Sequence, residues 1–521
     1  MIHQSRFPAL EYPRVSVATL IRAGLEARPD AVAMIDAATE RRITGREILA
    51  DAGRIAGALV RRGLRPGEVV AIMAPNVLEY GALLLGTWEA GGVATTMNPL
   101  ATAEEVVLQL RETSARFVVT VPALLDKVVD GAARAGAAET FVIGSGPGAT
   151  PYTELVAGPP LATPVVVDPT TALAALPWSS GTSGKPKAVM LTHESLVAQL
   201  HQFVAVQHHQ VGAVHMAVLP FFHIYGLVLI LLASLWRGCV LIVLGRFELE
   251  PFLASLARYR VTLAPVVPPI IVALAKHPLV DKFDLSSLRN VMSGAAPLGA
   301  DVEEACARRL GCLVIQGYGM TELCGASHLH PLDAAQLRRG SVGFLVPGLE
   351  ARIVDPDSKQ DLGIDARGEL WLRGPNVMRG YLARPEASAE ALDTDRWLHT
   401  GDIAYVDADG YYHIVDRVKE LIKYKGHQVA PADLEAVLLA HPSIADAAVI
   451  PSPCDEAGEV PKAFVVTRTP MTADEVMDYV ASRVSPLDKV RRVEFVDTIP
   501  KSPSGKILRR ILVEKERQRS A

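Results

Sequence analysis

Ser179-Ser-Gly-Thr-Ser-Gly-Lys-Pro-Lys187 is the stretch on which the reading of this chain turns. It follows the apolar run 172–178 and precedes Ala188-Val-Met-Leu191, so it is expected to be a loop between two strands. Two glycines and four hydroxyls in such a loop make a cradle of N–H and O–H donors that suits a polyphosphate. It is not a Walker A loop: only two residues separate Gly181 from Gly184, and Pro186 follows Lys185 where Ser or Thr is required. A polar hairpin without a ligand has the same composition, and the loop alone leaves both readings open.

Upstream, from Ser16 to about Val165, helical segments alternate with short Val/Ile/Ala-rich runs. Gly45 to Arg62 has a helical period and stops at Gly63, and Glu68-Val-Val-Ala-Ile-Met73 has the look of a buried strand, an alternation typical of layered α/β architecture. Downstream, apolar runs at 213–219, 240–244, 261–267, 289–292 and 313–315 predict a second α/β unit. Beyond Gly348 the texture changes to short alternating strands with Gly and Asp turns, a small β subdomain at about 345–416. Residues 417–521 read as a separate α+β domain. The expected fold is therefore α/β: an N-terminal domain over 1–416 built of layered α/β subdomains and the β subdomain, then a mobile C-terminal domain.

Composition narrows the function. The chain has 521 residues, half of them hydrophobic, and a formal net charge of −5, which excludes a disordered tail and gives no support for nucleic-acid binding over the whole surface. The segment from Arg417 onward nevertheless holds 17 Lys+Arg against 15 Asp+Glu. An anionic ligand is therefore expected to be met locally. Five scattered cysteines, Cys239, Cys306, Cys312, Cys324 and Cys454, form neither a disulfide framework nor a CxxC site and suit a reducing cytoplasm. No signal sequence is expected from Met1-Ile-His-Gln-Ser-Arg-Phe-Pro8, and the apolar stretch 224–244 is interrupted by Arg237, so no membrane span is expected either.

Three further motifs accompany the first. In Gln316-Gly-Tyr-Gly-Met-Thr-Glu322 a hydroxyl and a carboxylate are adjacent on a glycine-rich chain, a pair able to meet a phosphate and its Mg²⁺. His399-Thr-Gly-Asp402, followed by Asp416-Arg417, offers acidic and basic groups suited to a ribose diol. Lys501-Ser-Pro-Ser-Gly-Lys506 presents an ammonium on a Gly/Ser loop, where it can reach a carboxylate and a phosphate together. Each of these, taken alone, is also compatible with an ordinary solvated turn.

In this order and spacing, the four segments resemble the adenylate-forming superfamily of acyl-CoA synthetases, adenylation domains and beetle luciferase. Asp416-Arg-Val-Lys-Glu-Leu-Ile-Lys-Tyr-Lys-Gly-His-Gln-Val-Ala-Pro-Ala-Asp-Leu-Glu435, Pro220-Phe-Phe-His-Ile-Tyr-Gly226 and Ser293-Gly-Ala-Ala-Pro-Leu298 look most like 4-coumarate-CoA ligases. The resemblance runs from about residue 16 to Arg510. It implies that Ser179, Ser180, Gly181, Thr182, Ser183 and Lys187 hold phosphate, and that Gly294, Ala295, Gln316, Gly317 and Tyr318 wall the adenine. Thr321 would hold phosphate, Glu322 and Thr182 would hold Mg²⁺, and Asp402 and Arg417 would grip the ribose. Lys506 would join the substrate carboxylate to the α-phosphate. Lys419 would be the hinge about which Lys423, Lys425, Gly426 and Gln428 swing towards the site to face CoA.

The same resemblance assigns His223 and Tyr225, with Gly317, Gly325 and Ala326, to the acyl pocket. No acid lies in 220–226, and a buried ammonium without a partner is costly, so an apolar or aryl acid is expected over an amino acid. The chain departs from the family at Leu323-Cys-Gly-Ala-Ser-His328, where many members place a Pro, and at Ala188 and His427. These departures leave the particular acid open. The implied reaction joins an aryl or phenylpropanoid-type acid to CoA through an acyl-AMP, using ATP and Mg²⁺, in a monomer or homodimer. Alternatives are a medium- or long-chain fatty acyl-CoA ligase, an adenylation enzyme loading a carrier protein, and a catalytically silent binding protein.

Overall fold

The computed structural model describes residues 1–521 apart from 180–185, 426, 455, 503–504 and 521, with the side chains of 518–520 also left out. Four β-sheets organise it.

The first sheet is built on parallel strands Val93–Thr96, Val69–Met73, Ala115–Thr120 and Glu139–Val142. Every residue of Val69–Met73 is buried, which is why it reads as an unbroken apolar run and not as an alternation. Helix Gly45–Arg61 packs against helix Tyr80–Glu89, which connects two strands of this sheet. Gly45–Arg61 starts at a capping box, in which Thr44 accepts from the Glu47 N–H and the Glu47 carboxylate accepts from the Thr44 N–H, and beyond its end Gly63 turns at φ +85°. At the sheet's edge strand Lys187–Thr192 pairs antiparallel with Trp178–Ser179, so the strands expected on either side of the quoted stretch are both present.

The second sheet takes the five apolar runs of the second unit as parallel strands, in the order Leu313–Met320, Asn290–Ser293, Leu263–Val266, Val214–Ala217, Val240–Val243. It also recruits Val32–Asp36 and Arg42–Thr44 from the N-terminal stretch. The two α/β units therefore interleave in sequence, because an edge position beside Val240–Val243 covers that strand's free hydrogen-bonding groups. The stretch 224–244 folds as a wholly buried π-helical segment Tyr225–Leu232, a short helix Ala233–Arg237 and a strand. Among the described residues no helix is long and apolar enough to cross a membrane.

The third sheet is antiparallel, from Glu350–Val354, Gly368–Arg373, Leu398–Val406 and Tyr412–Arg417, with His3–Gln4 added at its edge. Gly380–Tyr381, from the same stretch of chain, leaves to pair with Lys187–Thr192 of the first sheet. The fourth sheet contains Ile422–Tyr424, His427–Val429, Ile444–Cys454, Gly458–Thr467 and Arg492–Phe495, covered by helices Pro431–Ala440, Ala473–Ala481 and Arg509–Ser520. Its apolar side chains form two clusters of their own, separate from the cluster that unites the first two sheets. Residues after Arg417 thus have the means to pack as a unit.

Candidate active site

A cavity of about 820 Å³ opens where the first three sheets meet Lys501, Ser502, Lys506 and Leu508. It lies beyond the carboxyl ends of the second sheet's parallel strands, the usual place for ligands in open α/β sheets. Of the residues singled out in the sequence, Ser179, Lys187, His223, Tyr225, Gly294, Ala295, Gly317, Tyr318, Thr321, Glu322, Gly325, Ala326, Arg417, Lys419 and Lys506 line it. Ser180, Gly181, Thr182, Ser183 and Gly426 lie outside the described residues.

Gln316-Gly-Tyr-Gly-Met320 is strand, not turn: it extends Leu313–Met320 and pairs antiparallel with Gly325–Leu329. Gly319 is required there, since a Cβ on it would lie 1.8 Å from the Gly325 carbonyl oxygen. Gln316 does not reach the cavity. Its amide donates to Glu303 at 2.7 Å in a buried pair, behind the wall that Gly317 and Tyr318 form. The Thr321–Leu323 turn then aims Thr321 and Glu322 inwards, both buried.

Glu322 has a partner that no sequence motif disclosed. The Tyr381 hydroxyl donates to its Oε1 at 2.8 Å, and the Lys187 ammonium sits 4.7 Å from the centroid of the same tyrosine ring. One tyrosine therefore orients a carboxylate and a lysine from two different motifs. Its only sequence signal is a Gly-Tyr pair in the β subdomain. A carboxylate facing the cavity beside a threonine hydroxyl fits a Mg²⁺ that takes most of its ligands from phosphates and water.

On the facing side Asp402 and Arg417 stand opposite each other in paired strands. Arg417 Nε is 3.3 Å from Asp402 Oδ1, and the Tyr318 hydroxyl donates to Oδ2 at 2.5 Å. Burial raises the Asp402 carboxyl above its ordinary range, while Arg417 and the Tyr318 hydrogen bond act against that rise. Arg417 thus lines the cavity, and Asp402, buried behind it, does not itself line the space but fixes Arg417 as its ion-pair partner. Glu369, another cavity residue that the sequence did not reveal, accepts from the Gly401 N–H at 3.2 Å and holds the bend before Asp402.

Lys506 enters from the fourth-sheet side. Its loop is closed by hydrogen bonds from Ser502 N–H to the Lys506 carbonyl (2.8 Å) and from Lys506 N–H to Ser502 Oγ (3.1 Å). Gly505 adopts φ +80°, and a Cβ there would lie 2.9 Å from Val267 Cγ2, so only glycine lets the loop sit this close to helix Pro268–Lys276. Burial, then the neighbouring Arg417, lowers Lys506 to about 8, with Glu420 and Asp402 pulling the other way. Burial, and next the Lys506 charge, brings His223 down to about 4, so its ring is neutral at pH 7.

Around Tyr225 the cavity is apolar. His223, Tyr225, Leu229, Gly317, Gly325, Ala326 and Leu329 line it with no carboxylate and no permanent charge among them. The Tyr225 hydroxyl donates to the Met292 carbonyl at 3.0 Å, and Gly294 leaves room for its ring, since a Cβ there would lie 2.9 Å from Cε1. The stretch Leu323–His328 is buried and runs into strand Gly325–Leu329, paired on both sides, with Leu229 filling the space over Gly325.

Lys423, Lys425 and Gln428 are not brought to this place. Lys423 pairs with Gln428 across a short exposed hairpin, Lys425 sits at its turn with φ +48°, and none of the three lines the cavity. The same part of the chain is clamped to the body elsewhere. Lys276 Nζ donates to the Leu439 carbonyl at 2.7 Å, at the end of helix Pro431–Ala440, and Gly299 packs against Ala436.

The fold, the phosphate-suited loop and the polar cavity define a nucleotide-binding α/β enzyme, and the chain belongs to the AMP-binding enzyme family. That family's model matches residues 21–382, and the model of the AMP-binding enzyme C-terminal domain matches 433–506. Among named relatives, 4-coumarate-CoA ligase 1 of Solanum tuberosum is 42% identical over 492 residues, 92% of this chain and 90% of that protein. Among solved structures, ATP-bound MatB from Rhodopseudomonas palustris superposes with a TM-score of 0.87 at 30% identity, covering 96% of this chain and 98% of that one. An anthranilate CoA ligase in complex with anthranoyl-AMP superposes with a TM-score of 0.90 at 25% identity, covering 98% of both chains.

Proposed function

We propose that this chain joins an aryl or phenylpropanoid-type carboxylic acid to CoA, making an acyl-AMP from acid and ATP first and releasing pyrophosphate. At the coarser level it is an acid-thiol ligase of the adenylate-forming superfamily. The observation that supports the finer reading is the cavity itself: an apolar, uncharged wall at Tyr225 and polar groups at Arg417, Glu322 and Lys506 share one space, with Asp402 paired to Arg417 behind it. The likeness to a ligase holding anthranoyl-AMP supports an aryl acid.

On this reading each group has a task. Arg417 and Asp402 bind the ribose hydroxyls, and Tyr318 lies between them and the adenine. Ser179 and Lys187 close on the phosphates with the loop 180–185, and Thr321 adds a hydroxyl. Glu322 and Thr182 would hold Mg²⁺, which offsets phosphate charge when bound. Lys506, still mostly protonated at neutral pH, holds the acid's carboxylate against the α-phosphate and stabilises the charge that builds as pyrophosphate leaves. Neutral His223 adds no charge beside the carboxylate and walls the acyl group.

The second half-reaction needs a thiol at the same carbonyl. A thiol of ordinary pKa ~8.5 is a few per cent ionised at neutral pH, enough against a mixed anhydride without a strong base. Lys506 occupies the cavity for the first half-reaction, and for the second the unit 417–521 turns about Lys419 and presents Lys423, Lys425, Gly426 and Gln428 instead. The test is pyrophosphate release with ATP, Mg²⁺ and a panel of cinnamic, benzoic and fatty acids, with and without CoA. Release and thioester with the aryl acids are expected. No acid-dependent release would overturn the enzyme reading, preference for fatty acids would overturn the acid assignment, and adenylate without thioester would favour a carrier protein as acceptor.

A further inference from the structure

At the end of the second sheet away from the cavity, His209, His215 and Cys239 converge. All three are buried, and one ligand atom from each lies within 4.8 Å of the others. Three pieces of chain are folded to achieve this. Helix His193–Gln207 ends on His208 in the left-handed region, φ +44°, and the turned chain packs His209 against Phe203 and His215, with ring centroids 5.0 and 4.7 Å apart. His215 lies in Val214–Ala217. Cys239 precedes the neighbouring strand Val240–Val243, after a turn at Gly238 with φ +71°. The two loops are tied by hydrogen bonds from Gly212 N–H to the Gly238 carbonyl (2.9 Å) and from Val240 N–H to the Ala213 carbonyl (2.8 Å).

The donors are left in an unusual state. Neither ring nitrogen of His209 has a hydrogen-bond partner among the described residues, although the ring is buried. A buried polar group without a partner is costly, so the arrangement is unfavourable as it stands. His215 is oriented instead: its Nδ1 is 3.0 Å from Ser234 Oγ, which fixes the ring in the way outer hydrogen bonds fix metal-binding histidines. Cys239 Sγ lies 3.4 Å from the Gln210 carbonyl oxygen. Burial keeps both imidazoles neutral at pH 7 and their lone pairs available. It also pushes the Cys239 thiol up to about 12, against the pull of Arg237 and Arg28, so that a cation must displace the proton for sulfur to become a ligand.

We propose that His209, His215 and Cys239 form a structural site for a thiophilic d¹⁰ cation, Zn²⁺ foremost, with the Gln210 carbonyl as a fourth donor. Two imidazoles and one thiolate are a borderline-soft set that selects zinc or copper(I) over magnesium or calcium. Binding forms the metal–sulfur bond and releases the Cys239 proton to solvent. None of the three residues lines the cavity, so the ion takes no part in the proposed ligation chemistry. It pins the helix that follows strand Lys187–Thr192 to the strand that leads into Pro220–Tyr225, and so ties two walls of the cavity from behind.

The experiment uses the full chain, loaded with Zn²⁺ and freed of excess, with metal counted by elemental analysis in wild type, Cys239→Ser, His209→Gln and a control, Cys454→Ser. One zinc ion per chain is expected in wild type and the control, with loss in the two site variants. Cobalt(II) loading should give a thiolate-to-metal charge-transfer band that Cys239→Ser removes. Stripping the metal should lower the Tm of wild type and leave that of Cys239→Ser unmoved. A copper(I) arm runs in parallel; copper held in place of zinc, and lost in the same variants, would support the site and point to Arg237 and Arg28 as the reason for a monovalent ion. Folded wild type that retains neither ion, or ions retained equally by both site variants, would overturn the proposal. If a variant fails to fold, the wild-type cobalt spectrum still decides.

Discussion

The loop of Lys506 and the hairpin of Lys423 to Gln428 belong to the same C-terminal part of the chain, yet they live in opposite surroundings. Lys506 is enclosed at the cavity, with its ammonium depressed to about 8 chiefly by burial, whereas Lys423, Lys425 and Gln428 lie on an exposed hairpin outside it. Contacts with Val267, Ala436 and Lys276 keep the first face in. One small unit cannot present both faces to one cavity at once. Two chemically distinct half-reactions, one wanting a cation against a phosphate and the other wanting access for a thiol, supply a reason for both faces to exist.

After the crossed lysine variants themselves, the largest effect that bears on this comparison is expected at the Asp402–Arg417 pair. Asp402→Asn removes a charge opposite Arg417, and a charge-assisted hydrogen bond contributes ~1.5–3 kcal/mol, so the KM for ATP should rise by ~10–100-fold while thioester formation from supplied acyl-AMP falls far less. Steady-state kinetics on the two half-reactions check it. Next, Tyr381→Phe frees Glu322 and should raise the Mg²⁺ concentration needed for half-maximal adenylation by ~10-fold, with the rate recovering at saturating Mg²⁺. A loss that saturating Mg²⁺ does not restore would show that Tyr381 serves only packing.

The Lys506 shift makes a pH prediction for one face alone. Below about 8 the ammonium is present; above it the charge is lost, so adenylation should fall by about tenfold per pH unit on the alkaline side. Thioester formation from acyl-AMP should not follow that limb. The smallest effect concerns the clamp. Lys276→Met removes a cation from the end of helix Pro431–Ala440, a contact worth ~0.3–1 kcal/mol, and should speed thioester formation by about two- to fivefold while slowing adenylation. Unchanged partition between the half-reactions would mean that Lys276 does not bias the orientation.

Much of this architecture was legible because strong patterns had simple physical causes. The all-apolar run Val69–Met73 and the five runs of the second sheet announced strands of an α/β fold, and Gly63 marked a helix end. Interleaving was not legible: nothing local in Val32–Asp36 tells that it will pair beside Val240–Val243, more than two hundred residues on. The site shows the same division. Residues within motifs could be placed on the cavity, but Gln316, sharing a motif with Tyr318, is held by a buried hydrogen bond to Glu303, a partner in a neighbouring helix that no motif announces. Tyr381, Glu369 and Lys276 act through contacts between distant segments and carry no spacing signature.

The most direct test of the two-face account is a crossed pair, Lys506→Ala and Lys423→Glu, each measured for pyrophosphate release from acid and ATP and for CoA thioester formation from supplied acyl-AMP. Lys506→Ala is predicted to lose ~10²–10³-fold in the first reaction and little in the second, as expected for removal of a charge-stabilising donor. Lys423→Glu should show the reverse bias. If both variants lose both half-reactions to the same degree, the C-terminal part has a single working face and the account is wrong.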